Sequence, residues 1–205
     1  MRYSLYDLPL LALWLGWLFC WLVAAWYVKP TRRKESWATR LLTAVLTLPA
    51  AALLAVPESW LPESWLHGLG ARFLPDTMIV YWLGLLIVIA GLAFAIWARA
   101  YLGRNWSGTV TVKENHELIC SGPYAIVRHP IYTGLLVAMF GTVIVFGEWR
   151  GLLALCFLIA AYLFKLRREE RFMMESFPDA YPGYRARVPA LIPFFYGHAG
   201  RRTSS

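Results

Sequence analysis

The sequence has little charge and few cysteines. Only 16% of its 205 residues are charged and three are cysteines, whereas 59% are hydrophobic and the mean hydropathy is +0.50. So small a polar fraction cannot cover the surface of an ordinary soluble domain. The three cysteines, two of which (Cys20 and Cys156) fall in apolar stretches, give neither a disulfide framework nor the spacing of a metal site. The composition therefore predicts a membrane protein without a metal.

The apolar residues form five stretches, none with an ionisable residue at its middle. Crossing the hydrocarbon takes roughly 20 residues, within a range of about 17 to 25, so the first and third stretches are long enough and the other three are short. The last two are separated only by residues 147–151, which predicts a tight helical hairpin or, alternatively, a re-entrant pair. We therefore expect an all-α integral membrane protein with about five transmembrane helices, at Leu8–Val28, Leu41–Val56, Met78–Ala98, Ile131–Phe146 and Gly151–Leu166.

The charges predict an orientation. Residues 29–40 contain five basic side chains and one acid, whereas residues 57–77 contain one basic side chain and three acids. Basic loops stay in the cytoplasm. The N-terminus and residues 57–77 are then outside, and residues 99–128 and the tail from Lys165 are cytoplasmic. This asymmetry accounts for the net charge of +8, favours contact with anionic membrane lipids, and makes nucleic acid an improbable partner.

Residues 116–134 form a polar, turn-rich block directly before the fourth apolar stretch. The block contains a turn at Ser121-Gly122-Pro123 and the sequence His129-Pro130-Ile131-Tyr132, whose proline is suited to begin a helix. The pair Glu169-Glu170 follows the fifth stretch, and Tyr181–Phe194 lies further on. These three segments resemble the isoprenylcysteine carboxyl methyltransferase family, which is related to the phospholipid N-methyltransferases.

The resemblance implies a single membrane domain, residues 1–205, that uses S-adenosylmethionine. It divides into N-terminal helices and loops (1–115), a methyltransferase core with a cytoplasmic cofactor pocket (116–195) and a flexible tail (196–205). Methyl transfer is an in-line displacement that depends on proximity and orientation, so no catalytic residue is assigned. The residues matching the family's cofactor contacts are His116, Glu117, Leu118, Ile119, Tyr124, His129, Pro130, Ile131, Tyr132, Glu169 and Glu170.

The acceptor is less well defined by the resemblance. The family has a substrate-binding arginine four positions before Glu169, where this chain has Lys165. Lysine cannot grip a carboxylate through a two-pronged fork, although Arg168 or Arg167 could substitute. We expect a lipophilic small-molecule or lipid acceptor, with an isoprenylcysteine carboxylate, a phospholipid amine or a small thiol as alternatives. A non-catalytic membrane component with the same fold is the alternative from another class.

Several of these residues also have a simpler, purely structural interpretation. Lys165 and Glu169 are i, i+4 neighbours that could pair at a solvated helix end. Tyr124 could be an interfacial aromatic residue. Gly134 could serve helix packing or close approach of a ligand. Tyr181, Tyr184 and Arg187 are expected to close the tail over the site.

Overall fold

The computed structural model describes residues 7–26, 37–56, 60, 62–103 and 118–194. Within these ranges it contains eight helices and no strand beyond an isolated bridge between Arg72 and Glu148. The prediction of a mostly helical protein is therefore confirmed. The helices are α1 (Asp7–Trp26), α2 (Trp37–Ala55), α3 (Glu63–Leu66), α4 (Met78–Leu102), α5 (Pro123–Ile126), α6 (Pro130–Phe146), α7 (Trp149–Ser176) and α8 (Tyr181–Arg187).

Within the described residues, each of the five apolar stretches falls largely in a long helix, but the helix lengths differ from those predicted. Two helices, α4 and α7, are long and apolar enough to cross a membrane, while α1, α2 and α6 have shorter apolar parts of 10–17 residues. Helix α7 was expected to be short, yet it runs for 28 residues through the acidic pair, because Lys, Leu, Arg and Glu are all good helix formers. Many large apolar side chains remain exposed, for example Phe19, Leu86 and Phe140. Such a surface is that of an integral membrane protein; the number of spans remains a prediction.

Helices α4 and α6 cross at glycines, which lets their backbones touch. A Cβ atom added to Gly91 would lie 2.4 Å from the backbone nitrogen of Ala138 and 2.5 Å from the carbonyl oxygen of Gly134. One heptad away, a Cβ atom on Gly141 would lie 2.7 Å from the carbonyl oxygen of Gly84. Small residues permit this approach in membrane helices, where dispersion contacts replace the hydrophobic effect as the source of stability. The crossing fixes where α6, and the motif at its start, lies.

The predicted hairpin between α6 and α7 is tight. Gly147 ends α6 with φ of 66°, a left-handed conformation that suits glycine. The chain before α4 pairs with this turn: Phe73 N donates to Gly147 O at 2.7 Å, and Arg150 N donates to Leu69 O at 2.7 Å. These bonds hold the hairpin tip at the end of the molecule away from the motif residues.

Two buried arginines join the N-terminal helices to the rest of the protein. Arg99 of α4 donates to Ala24 O of α1 at 2.7 Å, and Arg150 of α7 donates to Val56 O, just past α2, at 2.7 Å. The last carbonyl groups of a helix have no hydrogen-bond partner within it and carry the negative end of the helix dipole. A guanidinium group both donates hydrogen bonds to these carbonyls and places a positive charge beside the dipole. The N-terminal half is thereby fastened to the half that carries the motifs.

Candidate active site

The motif block folds as a turn followed by two helix starts. Gly122, with φ of 60°, precedes the single turn α5, and His129 caps α6, with Pro130 in the first helical position. A proline there sacrifices no hydrogen bond, because the first helical N–H groups have no partner inside the helix. His129 is consequently held at the boundary between the loop and α6, with its ring facing α7.

The acidic pair of α7 meets the histidine and the tyrosine of the motif. The Oη atom of Tyr132 donates a hydrogen bond to Glu169. The Nδ1 atom of His129 lies 3.5 Å from Oε2 of Glu169, and its Nε2 atom lies 3.5 Å from Oε1 of Glu170. Residues about 40 positions apart in the sequence thus form one cluster where the start of α6 meets the C-terminal part of α7.

His129 is the buried centre of this cluster. Its side chain is 9% exposed, and its Nε2 atom, fully buried, has no hydrogen-bond partner of good geometry among the described residues. Burial disfavours the charged ring, but interactions with Glu169 and Glu170 outweigh that penalty and raise its pKa above the usual 6.5. The carboxylates therefore favour an imidazolium ring near neutral pH.

Aromatic faces line the side of the cluster toward the centre of α7. The rings of Tyr132 and Tyr162 stack with centroids 4.8 Å apart, and the ring of His129 lies parallel to Tyr132 at 5.8 Å. The ammonium nitrogen of Lys165 lies 5.6 Å from the centroid of Tyr132. An aromatic face attracts cations. The wall thus offers a favourable surface to a positively charged group, and a lysine beside it.

Arg128, which sequence reasoning did not assign, joins the cluster to the chain after α8. Its Nε and Nη2 atoms donate to Oε1 of Glu170, and its Nη1 atom donates to the carbonyl oxygens of Arg185 (3.0 Å) and Val188. Its backbone nitrogen donates to Pro189 O at 2.8 Å. Only its place beside the motif histidine hinted at such a role.

The tyrosines of α8 are buried, in line with the expected closure of the tail. Tyr181 and Tyr184 are 2% and 4% exposed, and the Oη atom of Tyr184 donates to Tyr124 O at 2.6 Å. Burial raises the pKa of Tyr184, so its hydroxyl remains a donor. Arg187 is exposed and donates to Gly183 O of its own helix. Arg128, rather than Arg187, supplies the arginine contact that fastens this segment.

The other predicted residues lie at different distances from the cluster. His116 and Glu117 are outside the described residues. Leu118 and Ile119 are half-buried ahead of the turn, and Tyr124 is buried with its Oη atom 3.5 Å from Ala98 O. Pro130 is fully buried, Ile131 packs against the core between α4 and α6, and Arg168 is exposed with its guanidinium 5.9 Å from the Phe164 ring. Their contacts with a ligand remain predictions.

Comparison with known proteins agrees with the resemblance that the sequence motifs indicated. The family model described as phospholipid methyltransferase matches residues 79–180. Protein-S-isoprenylcysteine O-methyltransferase B of Arabidopsis thaliana is 29% identical over 130 residues, which are 60% of this chain and 65% of that protein. The cobalt-zinc-cadmium resistance protein CzcN of Cupriavidus metallidurans is 32% identical over 107 residues, 51% of this chain and 49% of that protein. The chain thus spans less than two thirds of either relative.

A solved structure shares the fold. The eukaryotic intramembrane Ras methyltransferase ICMT (isoprenylcysteine carboxyl methyltransferase) superposes with a TM-score of 0.55 at 22% identity, over 93% of this chain and 70% of that one. The helices and the polar cluster where the start of α6 meets α7 are those of a membrane protein that is similar to the phospholipid methyltransferase family over residues 79–180. The chain is likewise similar to isoprenylcysteine O-methyltransferases, as the motifs predicted.

Proposed function

We propose that the protein transfers a methyl group from S-adenosylmethionine to a membrane-partitioned acceptor, in a pocket at the cytoplasmic end of α6 and α7. The observation that carries the proposal is the meeting of His129, Tyr132 and Glu169. These motif residues come from separate segments and share hydrogen bonds or close contacts. The similarity to the phospholipid methyltransferase family supports methyl transfer as their common purpose.

The described residues fit the polar end of such a donor. S-adenosylmethionine carries an ammonium group, a carboxylate and a cationic sulfur. The side chain of Glu169 is 25% exposed, so its carboxylate can accept hydrogen bonds from an ammonium group. The stacked side chains of Tyr132 and Tyr162 offer an aromatic wall to the rest of the donor. The imidazolium of His129, beside Glu169, supplies a positive charge that suits a carboxylate.

The chain's contribution to the reaction is then mainly alignment. Bound S-adenosylmethionine supplies an electrophilic methyl carbon. Glu169 and His129 would hold the polar end of the donor, and Tyr132 and Tyr162 would form one wall of its pocket. When both reactants are held in line, their translational and rotational freedom has already been lost on binding. This can lower the activation free energy by about 7–11 kcal/mol in favourable cases. A carboxylate acceptor needs no general base, because its pKa of roughly 4 leaves it ionised at neutral pH.

The favoured acceptor is the carboxylate of an isoprenylcysteine-like molecule. The relatives named for this substrate support that choice, and the cluster lies at the ends of two apolar helices, where a lipid-dissolved molecule can reach it. Lys165, 5.6 Å from the Tyr132 ring, supplies a positive charge for the carboxylate. Because lysine is a point charge rather than a fork, the grip is expected to be weaker than an arginine would give.

Binding of the donor is tested by Glu169→Gln in purified, detergent-solubilised protein. The substitution keeps the shape of the side chain but removes its charge, so S-adenosylmethionine affinity should fall by about 1–3 kcal/mol, which is roughly 5- to 150-fold. Titration calorimetry measures it, with a thermal melt to show that the variant is folded. Arg167→Gln, a change at an exposed position on the same helix, is the matched control. Equal affinity in wild type and Glu169→Gln would remove Glu169 from the site.

The acceptor is tested with a labelled methyl donor. A farnesylcysteine analogue, phosphatidylethanolamine and a small alkyl thiol are supplied separately in nanodiscs. We expect the farnesylcysteine analogue to be methylated with a high KM that Lys165→Arg lowers in part, since a fork also needs a pocket shaped for it. Label on phosphatidylethanolamine alone would favour the phospholipid N-methyltransferase alternative, which the family description also suggests.

A further inference from the structure

We propose that Arg128 is a positioning residue: it couples the strap, defined as residues 185–191, to the Glu170 carboxylate and so holds the cofactor-binding face of α7 in place. The proposal rests on the proposed function where it concerns cofactor affinity. The coupling itself rests on geometry alone.

The side chain of Arg128 makes hydrogen bonds in two directions. Its Nε and Nη2 atoms donate to one oxygen of Glu170 on α7, and its Nη1 atom donates to two carbonyls of the strap. Both carboxyl and guanidinium side chains are 9% exposed, so water competes little and each lost bond is costly. One side chain therefore binds two parts of the chain that lie 42 and 60 residues away.

Further bonds run parallel to this side chain. The backbone nitrogens of Arg128 and His129 donate to Pro189 O and Ala190 O at 2.8 and 3.1 Å, and Thr133 Oγ1 donates to Leu191 O at 2.7 Å. The strap thus lies along the loop that carries His129. Because these bonds do not involve the guanidinium, the fold should survive a change at Arg128, while the link to α7 should be reduced to the exposed Arg185, whose Nε atom lies 3.4 Å from Oε2 of Glu170.

Glu170 is consequently occupied by the protein itself. Oε1 accepts from Arg128 and lies 3.5 Å from His129 Nε2, and Oε2 lies 3.4 Å from Arg185 Nε. Little hydrogen-bonding capacity remains for a ligand. The two neighbouring glutamates then have separate tasks: Glu169 faces the donor, and Glu170, through Arg128, fixes the position of α7 against the strap and the motif loop.

A conservative change separates coupling from simple charge pairing. Lysine at position 128 preserves the positive charge but cannot reach the carboxylate and the two carbonyls together. We expect Arg128→Lys to speed tryptic cleavage after Arg185 or Arg187 by about tenfold, read by mass spectrometry without any ligand, and to weaken S-adenosylmethionine binding by about tenfold. Glu170→Gln should do the same. Arg167→Lys is the matched control and should change neither.

A second anchor of the same region tests the coupling independently. Tyr184→Phe removes the bond to Tyr124 O and leaves the Arg128–Glu170 pair unchanged. If the strap and the site are coupled, Tyr184→Phe should speed cleavage and weaken cofactor binding in the wild-type background, but weaken binding little further when combined with Arg128→Lys. Such non-additivity is the mark of coupled residues.

The outcomes are distinct. Wild-type cleavage in both Arg128→Lys and Glu170→Gln would overturn the proposal, as would faster cleavage with unchanged cofactor affinity, which would make Arg128 only a structural residue. If the wild type binds no S-adenosylmethionine, the proposed function fails. In that case the cleavage rates alone test the coupling between the strap and α7. The coupling is supported if Arg128→Lys and Glu170→Gln each speed cleavage and the double variant is cleaved no faster than either.

Discussion

Gly91→Ala should destabilise the protein although it adds a single methyl group. The new Cβ atom would lie 2.4 Å from Ala138 N and 2.5 Å from Gly134 O, whereas real Cβ atoms essentially never approach closer than 3.0 Å. The contact must lengthen by about 0.6 Å. Both obstructing atoms belong to the backbone of α6, so no side chain can rotate away and the whole helix has to move.

The magnitude follows from two opposing terms. Overpacking a close-packed site costs about 1–3 kcal/mol, and a clash with backbone belongs near the upper end of that range. Alanine in place of glycine returns up to about 1 kcal/mol through helix propensity. The net loss should be about 2 kcal/mol. Because α6 begins beside His129, the shift should also weaken binding of S-adenosylmethionine.

The assay is reversible unfolding in mixed micelles as the mole fraction of sodium dodecyl sulfate rises. Gly16→Ala on α1 is the matched control, because an added Cβ atom there has nothing within 4 Å. It should be as stable as the wild type or more stable by up to about 1 kcal/mol. If Gly91→Ala unfolds at the same mole fraction as Gly16→Ala, the backbone contact between α4 and α6 is looser than described and the reasoning fails.

Local features of the fold could be predicted from the sequence, and contacts between distant segments could not. The five apolar stretches located five helices, and the short segment 147–151 located the tight hairpin, since both features depend on residues that are neighbours in the sequence. The crossing of Gly91 with Gly134 requires knowing which helices pair. Gly134 was left open between packing and ligand approach, and its position against Gly91 and Ala95 favours packing. The extent of α7 was wrong because charged residues ended the apolar stretch but not the helix.

The candidate site divides in the same way. The resemblance to the methyltransferase family implied that His129, Tyr132 and Glu169 act together, and the structure brings them into contact. Arg128 stands beside the motif histidine, yet the sequence assigns it no role. Nothing in its local sequence names partners 42 and 60 residues away. Only the folded chain shows that the Arg128 side chain is buried, and this burial identifies it as a structural contact.

Two further predictions concern the charges. In a cysteine-free background, an impermeant thiol reagent should label Ser64→Cys but not Ala186→Cys in intact cells, because the basic segments stay in the cytoplasm; the reverse pattern would invert the topology. The free energy of unfolding should differ between wild type and His129→Gln by an amount that depends on pH. The charged and titratable groups that face the His129 ring are Glu169, Glu170, Arg128 and Tyr132. The pKa of His129 is raised in the folded state. The imidazolium therefore contributes its full stabilisation below about pH 6.5, the usual pKa of histidine. That stabilisation is lost as the pH rises through the folded-state pKa. Chemical unfolding between about pH 5.5 and 9 should therefore show the difference shrinking with pH, and a difference that grew would mean that the buried ring is neutral between its two carboxylates.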